Sequence, residues 1–326
     1  MRTLVYGAGP IGRWLSLRLH QAGKDVTLLA RGETYELIRR DGVGLVDGYT
    51  GEKKVARVKL VERLEPEDRY DLVLVVMRKS SRLAVCPILA ECQNLQNILF
   101  LGNDVSGFHR YLDYLPREKI SLGFPGAGGG WDGDDLVIAD GDKPNDKGSS
   151  LYIGELDGET RERTTRIQEF FDGAGFPVSL EKDIDGWLKY HFAFMGPTAG
   201  VVLMHAGNLE AVAADTAGLR MYIRACREAG DVLRAVGYKK RQPPIFNLYY
   251  WLPEWVGVRT FQRFFRSRKV EVAMGLHASE VGDELLEMME EFTELRARTG
   301  IETPNLDELL SFARKPPLMD LDSRLE

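Results

Sequence analysis

The chain has 326 residues, a formal net charge of -6, and 44% hydrophobic and 28% charged residues. This length predicts two domains with a sizeable core. The acidic balance argues against nucleic acid as a partner, because phosphate binding requires a concentrated basic face. The densest basic stretch, RFFRSRK at 263–269, is interpreted as a solvated helix face.

The sequence shows the pattern of neither a signal peptide nor a membrane span. The N-terminus has no cationic region before its apolar segment, and no apolar run reaches the roughly 18 residues of a membrane span. A cytoplasmic protein is therefore expected. The three cysteines, Cys86, Cys92 and Cys226, form no CxxC pair and are expected to be reduced thiols. The five histidines are scattered, so no metal site is predicted.

The N-terminal part alternates between short apolar runs and helical stretches. Strands are predicted at 3–7, 24–30, 71–77, 97–102 and 120–124, with helices at 10–23 and 80–92. Near-continuous apolar strands that alternate with helices indicate a parallel, doubly wound sheet.

The pattern changes from about Arg161. RERTTRIQEFFDGAGF predicts a helix and PVSLEKDI a short extended link, after which almost every segment has helical periodicity, including 268–299. We therefore expect an α/β domain over 1–181 and an all-helical domain over 182–326. The glycine-rich stretch 123–135 is interpreted as a loop near the ligand cleft.

Three glycines follow the first predicted strand at G-x-G-x-x-G spacing, in VYGAGPIG. Gly7 permits a tight turn, Gly9 lets the backbone approach a pyrophosphate, and Gly12 lets helix and strand pack closely. The helix N-terminus then offers N–H groups to the phosphates. Within a strand–helix–strand unit this motif indicates a Rossmann-like dinucleotide-binding domain rather than a simple turn. The predicted phosphate-loop residues are Gly7, Gly9, Pro10, Ile11 and Gly12.

The end of the second strand discriminates between the two nicotinamide dinucleotides. An acidic residue there would bind the ribose 2′-hydroxyl of NAD, whereas this chain has Arg31, which can pair with the 2′-phosphate of NADP. The sequence favours NADP (NADPH), while Glu33 leaves NAD open.

Four further stretches combine with the glycine motif in the same order along nearly the whole chain: DLVLVVMRKS, FLGNDVSG, DGWLKYHFAF and GDELLEMMEEFTELRARTGIETPNLDEL. With them the sequence resembles the ketopantoate reductase family, the NADP-dependent 2-dehydropantoate 2-reductases. The resemblance implies a cytoplasmic oxidoreductase that reduces a small 2-oxo acid, and a helical domain that binds substrate and can form a homodimer.

The resemblance also implies roles for individual residues. Lys189 matches the family's general acid toward the ketone oxygen, and Asn103 matches an asparagine near the nicotinamide. Glu284, beside Asp283, falls where the family places a substrate-binding glutamate. Arg78 aligns with a basic residue that binds the cofactor in the family. The alternative is that Arg78, or the adjacent Lys79, is a surface charge.

The chain also departs from the family pattern. KYHFAFMGPTAG lacks the asparagines expected after the lysine, and His191 is either their replacement or a packed residue. Ser279 does not fit the spacing of the family's substrate-binding serine. These departures leave the reaction class standing and put ketopantoate itself in question.

The segment 241–267 has no counterpart in the family pattern and is the most aromatic part of the chain. It is interpreted as a pair of packed short helices, with an interface or a lid that favours bulkier substrates as alternatives. Two further functions stay open: a related opine or hydroxy acid dehydrogenase, and an NADPH-binding sensor without turnover.

Overall fold

The computed structural model describes residues 1–140, 149–268, 270–271 and 282–314. Part of the predicted helical segment 268–299, and Ser279 with it, lies outside the described residues. The chain forms two compact units, with their boundary in the sequence between Asp185 and Gly186.

The first unit contains twelve strands among its described residues: β1 (Thr3–Tyr6), β2 (Val26–Leu29), β3 (Val43–Asp47), β4 (Lys53–Ala56), β5 (Lys59–Val61), β6 (Leu72–Val75), β7 (Ile98–Leu101), β8 (Ile120–Pro125), β9 (Gly128–Asp132), β10 (Asp135–Ala139), β11 (Leu151–Glu155) and β12 (Val178–Leu180). Its helices are α1 (Pro10–Gln21), α2 (Gly32–Asp41), α3 (Lys79–Glu91) and α4 (Glu162–Asp172), with short 3-10 helices at His109–Asp113 and Arg117–Lys119.

Eight strands form the main sheet, in the order β12-β11-β8-β7-β6-β1-β2-β5. Neighbours are parallel except for β8 and β11, which are antiparallel. Every residue of β1, β2, β6 and β7 is buried, as expected for apolar strands in the interior of a wound sheet. The predicted Rossmann-like sheet is confirmed.

A second sheet, in the order β4-β3-β10-β9, corrects the prediction that 123–135 is a loop. Within that stretch β8 ends at Pro125, β9 spans Gly128–Asp132, and β10 begins at Asp135 to form a hairpin with β9. Glycine in β9 permits the close approach of β10, because a Cβ on Gly129 would lie 2.1 Å from the carbonyl oxygen of Val137.

The second unit is helical, and no strand follows β12 in the described part of the chain. Its elements are α5 (Ile184–Met204, which starts just before the boundary), α6 (Leu209–Ala214), α7 (Thr216–Ala235), a 3-10 helix at Pro244–Asn247, α8 (Leu248–Trp251), α9 (Glu254–Phe265), α10 (Gly282–Ala297) and α11 (Pro304–Arg314). Glu228 on α7 holds the start of α11, because its carboxylate accepts the backbone N–H of Leu306 at 2.9 Å.

The aromatic segment 241–267 contributes largely to the core of this unit. Tyr222 of α7 contacts the rings of Tyr249, Phe261 and Phe265 at centroid distances of 5.0–5.9 Å. All four side chains are buried, and the hydroxyls of Tyr222 and Tyr249 lie 2.5 Å apart. These contacts support the interpretation as packed short helices.

The structure also shows the surroundings of the three cysteines and of the basic stretch 263–269. Cys86, Cys92 and Cys226 are buried free thiols, and burial raises the pKa of Cys86 to about 11. In the basic stretch, Arg266 and Arg268 are exposed and form surface ion pairs with Glu210 and Glu271. No helix within the described ranges is long and apolar enough to cross a membrane.

The close approach at Gly129 gives a testable consequence for stability. Gly129→Ala should reduce the free energy of unfolding by about 2 kcal/mol, because the methyl group forces β9 away from β10. Gly44→Ala in β3 is the matched control; its Cβ would meet only Val55 at 3.8 Å, so a change below about 0.5 kcal/mol is expected. Equal denaturant midpoints for the two variants would contradict the hairpin packing.

Candidate cofactor and active site

The glycine loop between β1 and α1 has the geometry of a phosphate cradle. Gly7 has φ of +121°, and a Cβ there would lie 2.3 Å from the carbonyl oxygen of Val76. A Cβ on Gly12 would lie 1.9 Å from the carbonyl oxygen of Gly7. Both positions therefore require glycine for the packing of the protein itself.

Gly9 differs from these two glycines. It is exposed, its backbone is extended (φ of -73°, ψ of -176°), and a Cβ added there would meet no protein atom within 4 Å. Nothing in the surrounding protein requires glycine at this N-cap of α1. The opening fits a ligand that approaches the backbone closely, as a pyrophosphate does.

The first turn of α1 leaves its N–H groups available to an anion. Pro10 occupies the first helical position, where a missing N–H has no cost, and no acidic side chain lies in the first turn. Ile11 follows Pro10 and is partly buried. The residues therefore fit the phosphates of a dinucleotide, with backbone N–H groups as donors.

Arg13 links the glycine loop to the second sheet, a contact that the sequence analysis missed. Its Nε donates to the carbonyl oxygen of Ala8 at 2.9 Å, and its guanidinium lies 4.9 Å from the ring centroid of Trp131 on β9. The second sheet thus helps to hold the glycine loop. No local motif indicates this contact, because Trp131 is remote in the sequence.

The remaining predicted cofactor residues follow neighbouring parallel strands. Arg31, Arg78 and Asn103 come after the carboxyl ends of β2, β6 and β7; β2 and β6 flank β1 in the sheet, and β7 lies next to β6. The first unit thus brings them together with the cradle at one edge, where doubly wound sheets bind ligands.

Arg31 and Arg78 are exposed at this edge. Burial raises the pKa of Tyr6, the last residue of β1, and the positive charge of Arg31 partly opposes that rise. Lys79 is different: only 4% of it is exposed, and its ammonium lies 2.9 Å from the Asp104 carboxylate. The alternative that Lys79 is a surface charge was wrong, because α3 begins at Lys79 and turns it inward.

The other two predicted catalytic residues belong to the second unit. Lys189 on α5 is 2% exposed, and its ammonium lies 5.0 Å from the ring centroid of Tyr238. Glu284 lies in the first turn of α10 and is partly buried. Lysine side chains are rarely buried to this extent unless they are paired.

His191, two residues after Lys189, packs against Trp187 with parallel rings 5.3 Å apart. Burial lowers the pKa of His191 to about 4, so the imidazole is neutral near pH 7. The geometry favours packing for this residue, and a neutral ring can still hydrogen-bond to a substrate. Among the described side chains, no group of three or more His, Cys, Asp or Glu residues could hold a metal ion.

The architecture defines a class of protein. A wound sheet with a glycine cradle at its carboxyl edge, followed by a helical unit, is that of a nicotinamide-dinucleotide oxidoreductase. Residues 3–156 match the family model described as "Ketopantoate reductase PanE/ApbA". Over these residues the chain matches the ketopantoate reductase family, as the sequence resemblance predicted.

Individual relatives agree with this assignment. A 2-dehydropantoate 2-reductase from Mesorhizobium japonicum is 26% identical over 273 residues, which cover 71% of this chain and 82% of that protein. An uncharacterized oxidoreductase from Bacillus subtilis is 25% identical over 244 residues, covering 73% and 76%.

Solved structures show the same fold. D-mandelate dehydrogenase, solved with NADH and anilino(oxo)acetate, has a TM-score of 0.76 at 17% identity, covering 96% of this chain and 97% of the other. The 2-dehydropantoate 2-reductase from Geobacter metallireducens has a TM-score of 0.73 at 17% identity, covering 97% and 100%. At these identities the likeness concerns the fold alone.

The different environments of Gly9 and Gly12 predict opposite effects of the same substitution. Gly9→Ala should weaken binding of NADPH or NADH by about tenfold, the loss of one charge-assisted hydrogen bond, because the methyl group holds the pyrophosphate away. Its free energy of unfolding should change by less than about 0.5 kcal/mol.

Gly12→Ala is the matched control and should destabilise the apo protein by about 2 kcal/mol or more, since its methyl group meets a backbone carbonyl. Titration of cofactor fluorescence and thermal unfolding measure the two effects. Unchanged cofactor affinity in a folded Gly9→Ala protein would contradict the cradle.

Proposed function

We propose that the protein is an NADPH-dependent reductase of a 2-oxo acid, with 2-dehydropantoate (ketopantoate) as substrate and pantoate as product. The observation that carries this proposal is the Gly9 opening at an edge that also presents Arg31 and Asn103, in a chain of the ketopantoate reductase family. The relative from Mesorhizobium japonicum bears the name of this activity.

Each predicted catalytic side chain would have a separate role in the reaction. The bound nicotinamide supplies the hydride. Lys189 donates the proton to the ketone oxygen and stabilises the negative charge that develops there, and its burial strengthens that electrostatic effect. Asn103 orients the substrate and cofactor, and Glu284 accepts a hydrogen bond from the substrate.

NADPH is proposed over NADH because of Arg31. The residue follows β2, is exposed, and occupies the N-cap of α2, where its guanidinium and the helix N-terminus both favour a 2′-phosphate. Glu33, in the first turn of α2, is the side chain that would instead accept a 2′-hydroxyl of NADH.

A bulkier 2-oxo acid is the second candidate substrate. In the turns of α5 that follow Lys189, where the resemblance leads us to expect asparagines, this chain has the apolar run 192–196. A less polar helix of this kind would suit an aromatic acid such as benzoylformate, the 2-oxo counterpart of mandelate. A structural neighbour is a mandelate dehydrogenase.

The experiment that tests the proposal follows NADPH oxidation with ketopantoate, benzoylformate and aliphatic 2-oxo acids. Lys189→Ala should lower kcat by about 10²–10⁴-fold, the contribution of a positioned general acid. Its affinity for NADPH should stay within about twofold of wild type, because the cradle belongs to the other unit.

Arg234→Ala, which removes an exposed cation from α7, is the control and should retain wild-type kcat. Ketopantoate turnover that survives Lys189→Ala would refute the assignment of the acid. Tight NADPH binding with no turnover on any acid would instead favour the sensor.

Cofactor preference gives a separate prediction. Arg31→Ala should weaken NADPH binding by about tenfold and leave NADH within about twofold, because only NADPH carries the phosphate that loses a charged partner. Arg40→Ala, at an exposed cation of α2 paired with Asp41, should change neither affinity. A wild-type preference for NADH would overturn the choice of NADPH.

A further inference from the structure

A buried arginine joins the two loops that follow β6 and β7. Arg82 on α3 is 2% exposed; its Nε donates to the carbonyl oxygen of Met77, and its Nη1 to that of Asn103, both at 2.9 Å. Gly102 makes room for it, since a Cβ at that residue would lie 2.2 Å from Nη2 of Arg82. The planar guanidinium thus sets the spacing between the loops.

A buried carboxylate organises the rest of the β7 loop. One oxygen of Asp104 accepts Nζ of Lys79 at 2.9 Å and the backbone N–H of Gly107 at 2.8 Å, and the other accepts the Tyr111 hydroxyl at 3.0 Å. Lys79 also donates to Ser106 at 2.7 Å. Asp104 therefore ties both sides of the loop to α3.

The Tyr111 hydroxyl stays protonated and acts as a hydrogen-bond donor in this network. Burial, followed by the nearby Asp104 charge, raises the pKa of Tyr111 well above its usual value, so the hydroxyl keeps its proton. Its ring stacks on Phe100 of β7 with a centroid distance of 4.2 Å. The loop that carries Asn103 is thus held from β7, α3 and the 3-10 helix at His109–Asp113.

Stability alone is a weak reason for this cluster. Burying two cations and a carboxylate carries a desolvation cost that their attraction offsets only with good geometry, and apolar side chains of similar size often serve as well. What such a network supplies is a fixed arrangement, because each fully bonded member restricts the others. The group that this arrangement fixes is Asn103.

We propose that Arg82, supported by the Lys79–Asp104 pair, is a positioning residue that sets the Asn103 carboxamide at the cofactor edge of the sheet. The inference rests on the proposed function, in which Asn103 orients the reactants. Arg82 acts through the Asn103 backbone, so its loss displaces the carboxamide without removing a reacting group.

The main test is Arg82→Lys, whose ammonium keeps the charge but can hydrogen-bond to only one of the carbonyl oxygens of Met77 and Asn103. The variant should lose at least about tenfold in kcat, as expected for a misplaced orienting group, with the affinity for NADPH little changed. The kinetic isotope effect on kcat with NADPH deuterated at C4 should rise, because hydride transfer becomes slower.

Arg163→Lys is the matched control. Arg163 is also a largely buried arginine; it donates to the carbonyl oxygen of Ile120 at 3.0 Å and to Glu155, at the opposite edge of the sheet. It should lower the unfolding temperature without lowering kcat. A similar fall in kcat for both variants would show that Arg82 acts only through stability and would overturn the proposal.

A double-mutant cycle tests whether Arg82 acts through Asn103. In an Asn103→Ala background, Arg82→Lys should change kcat by less than about twofold, because residues that act as one unit are not additive.

Tyr111→Phe, which removes one hydroxyl and keeps the ring stacked on Phe100, is a milder variant should Arg82→Lys fold poorly. It should lower kcat by about threefold, and only when Asn103 is present. Additive effects would overturn the proposal.

Hydrogen exchange separates this inference from the proposed function. Amides of 102–107 should exchange faster in Arg82→Lys than in wild type or Arg163→Lys, because the loop opens locally. If the wild type turns over no 2-oxo acid, the proposed function fails and the exchange rates alone decide: faster exchange supports the positioning role, and unchanged exchange overturns it.

Discussion

The constraint on which the first unit depends is the close contact of α1 with the ends of β1 and β6. Gly7 and Gly12 permit it, since side chains there would overlap the carbonyl oxygens of Val76 and Gly7. The contact places the N-terminus of α1 directly beyond the sheet, so that its N–H groups face the ligand edge. At Gly9 a side chain would meet no protein atom within 4 Å, so the packing of the protein does not require glycine there. The proposed binding of the cofactor pyrophosphate makes use of that open space.

Three buried charged residues lie near the same edge of the sheet. Lys79, Arg82 and Asp104 are each less than 5% exposed, although they lie at the ends of strands where loops are usually hydrated. A fold maintained only by apolar burial has no need of them. Their common effect is to restrain the loops after β6 and β7, and a reaction that depends on the orientation of a hydride donor benefits from rigid loops.

The core of the second unit differs in composition from that of the first. Its core is aromatic, with Tyr222 of α7 surrounded by rings from α8 and α9. The helix that carries Lys189 is apolar over most of its length, and Lys189 is buried on it. The apolar residues that follow Lys189 are the basis on which larger substrates than ketopantoate enter the proposed function.

The sequence by itself determined the wound sheet, the glycine loop and the resemblance to the ketopantoate reductase family, because apolar runs, glycine spacing and strand-end residues are local patterns. It also singled out Lys189, whose neighbours in the chain carry the resemblance. Only the tertiary structure decided that the glycine-rich stretch contributes to β9 and β10, since β10 pairs with β3 through Val137 and Val46, which are far apart in the sequence. It likewise decided that Lys79 is buried: the carboxylate that pairs with it, Asp104, is 25 residues away. Burial and pairing of this kind arise from contacts between distant segments, which no local pattern encodes.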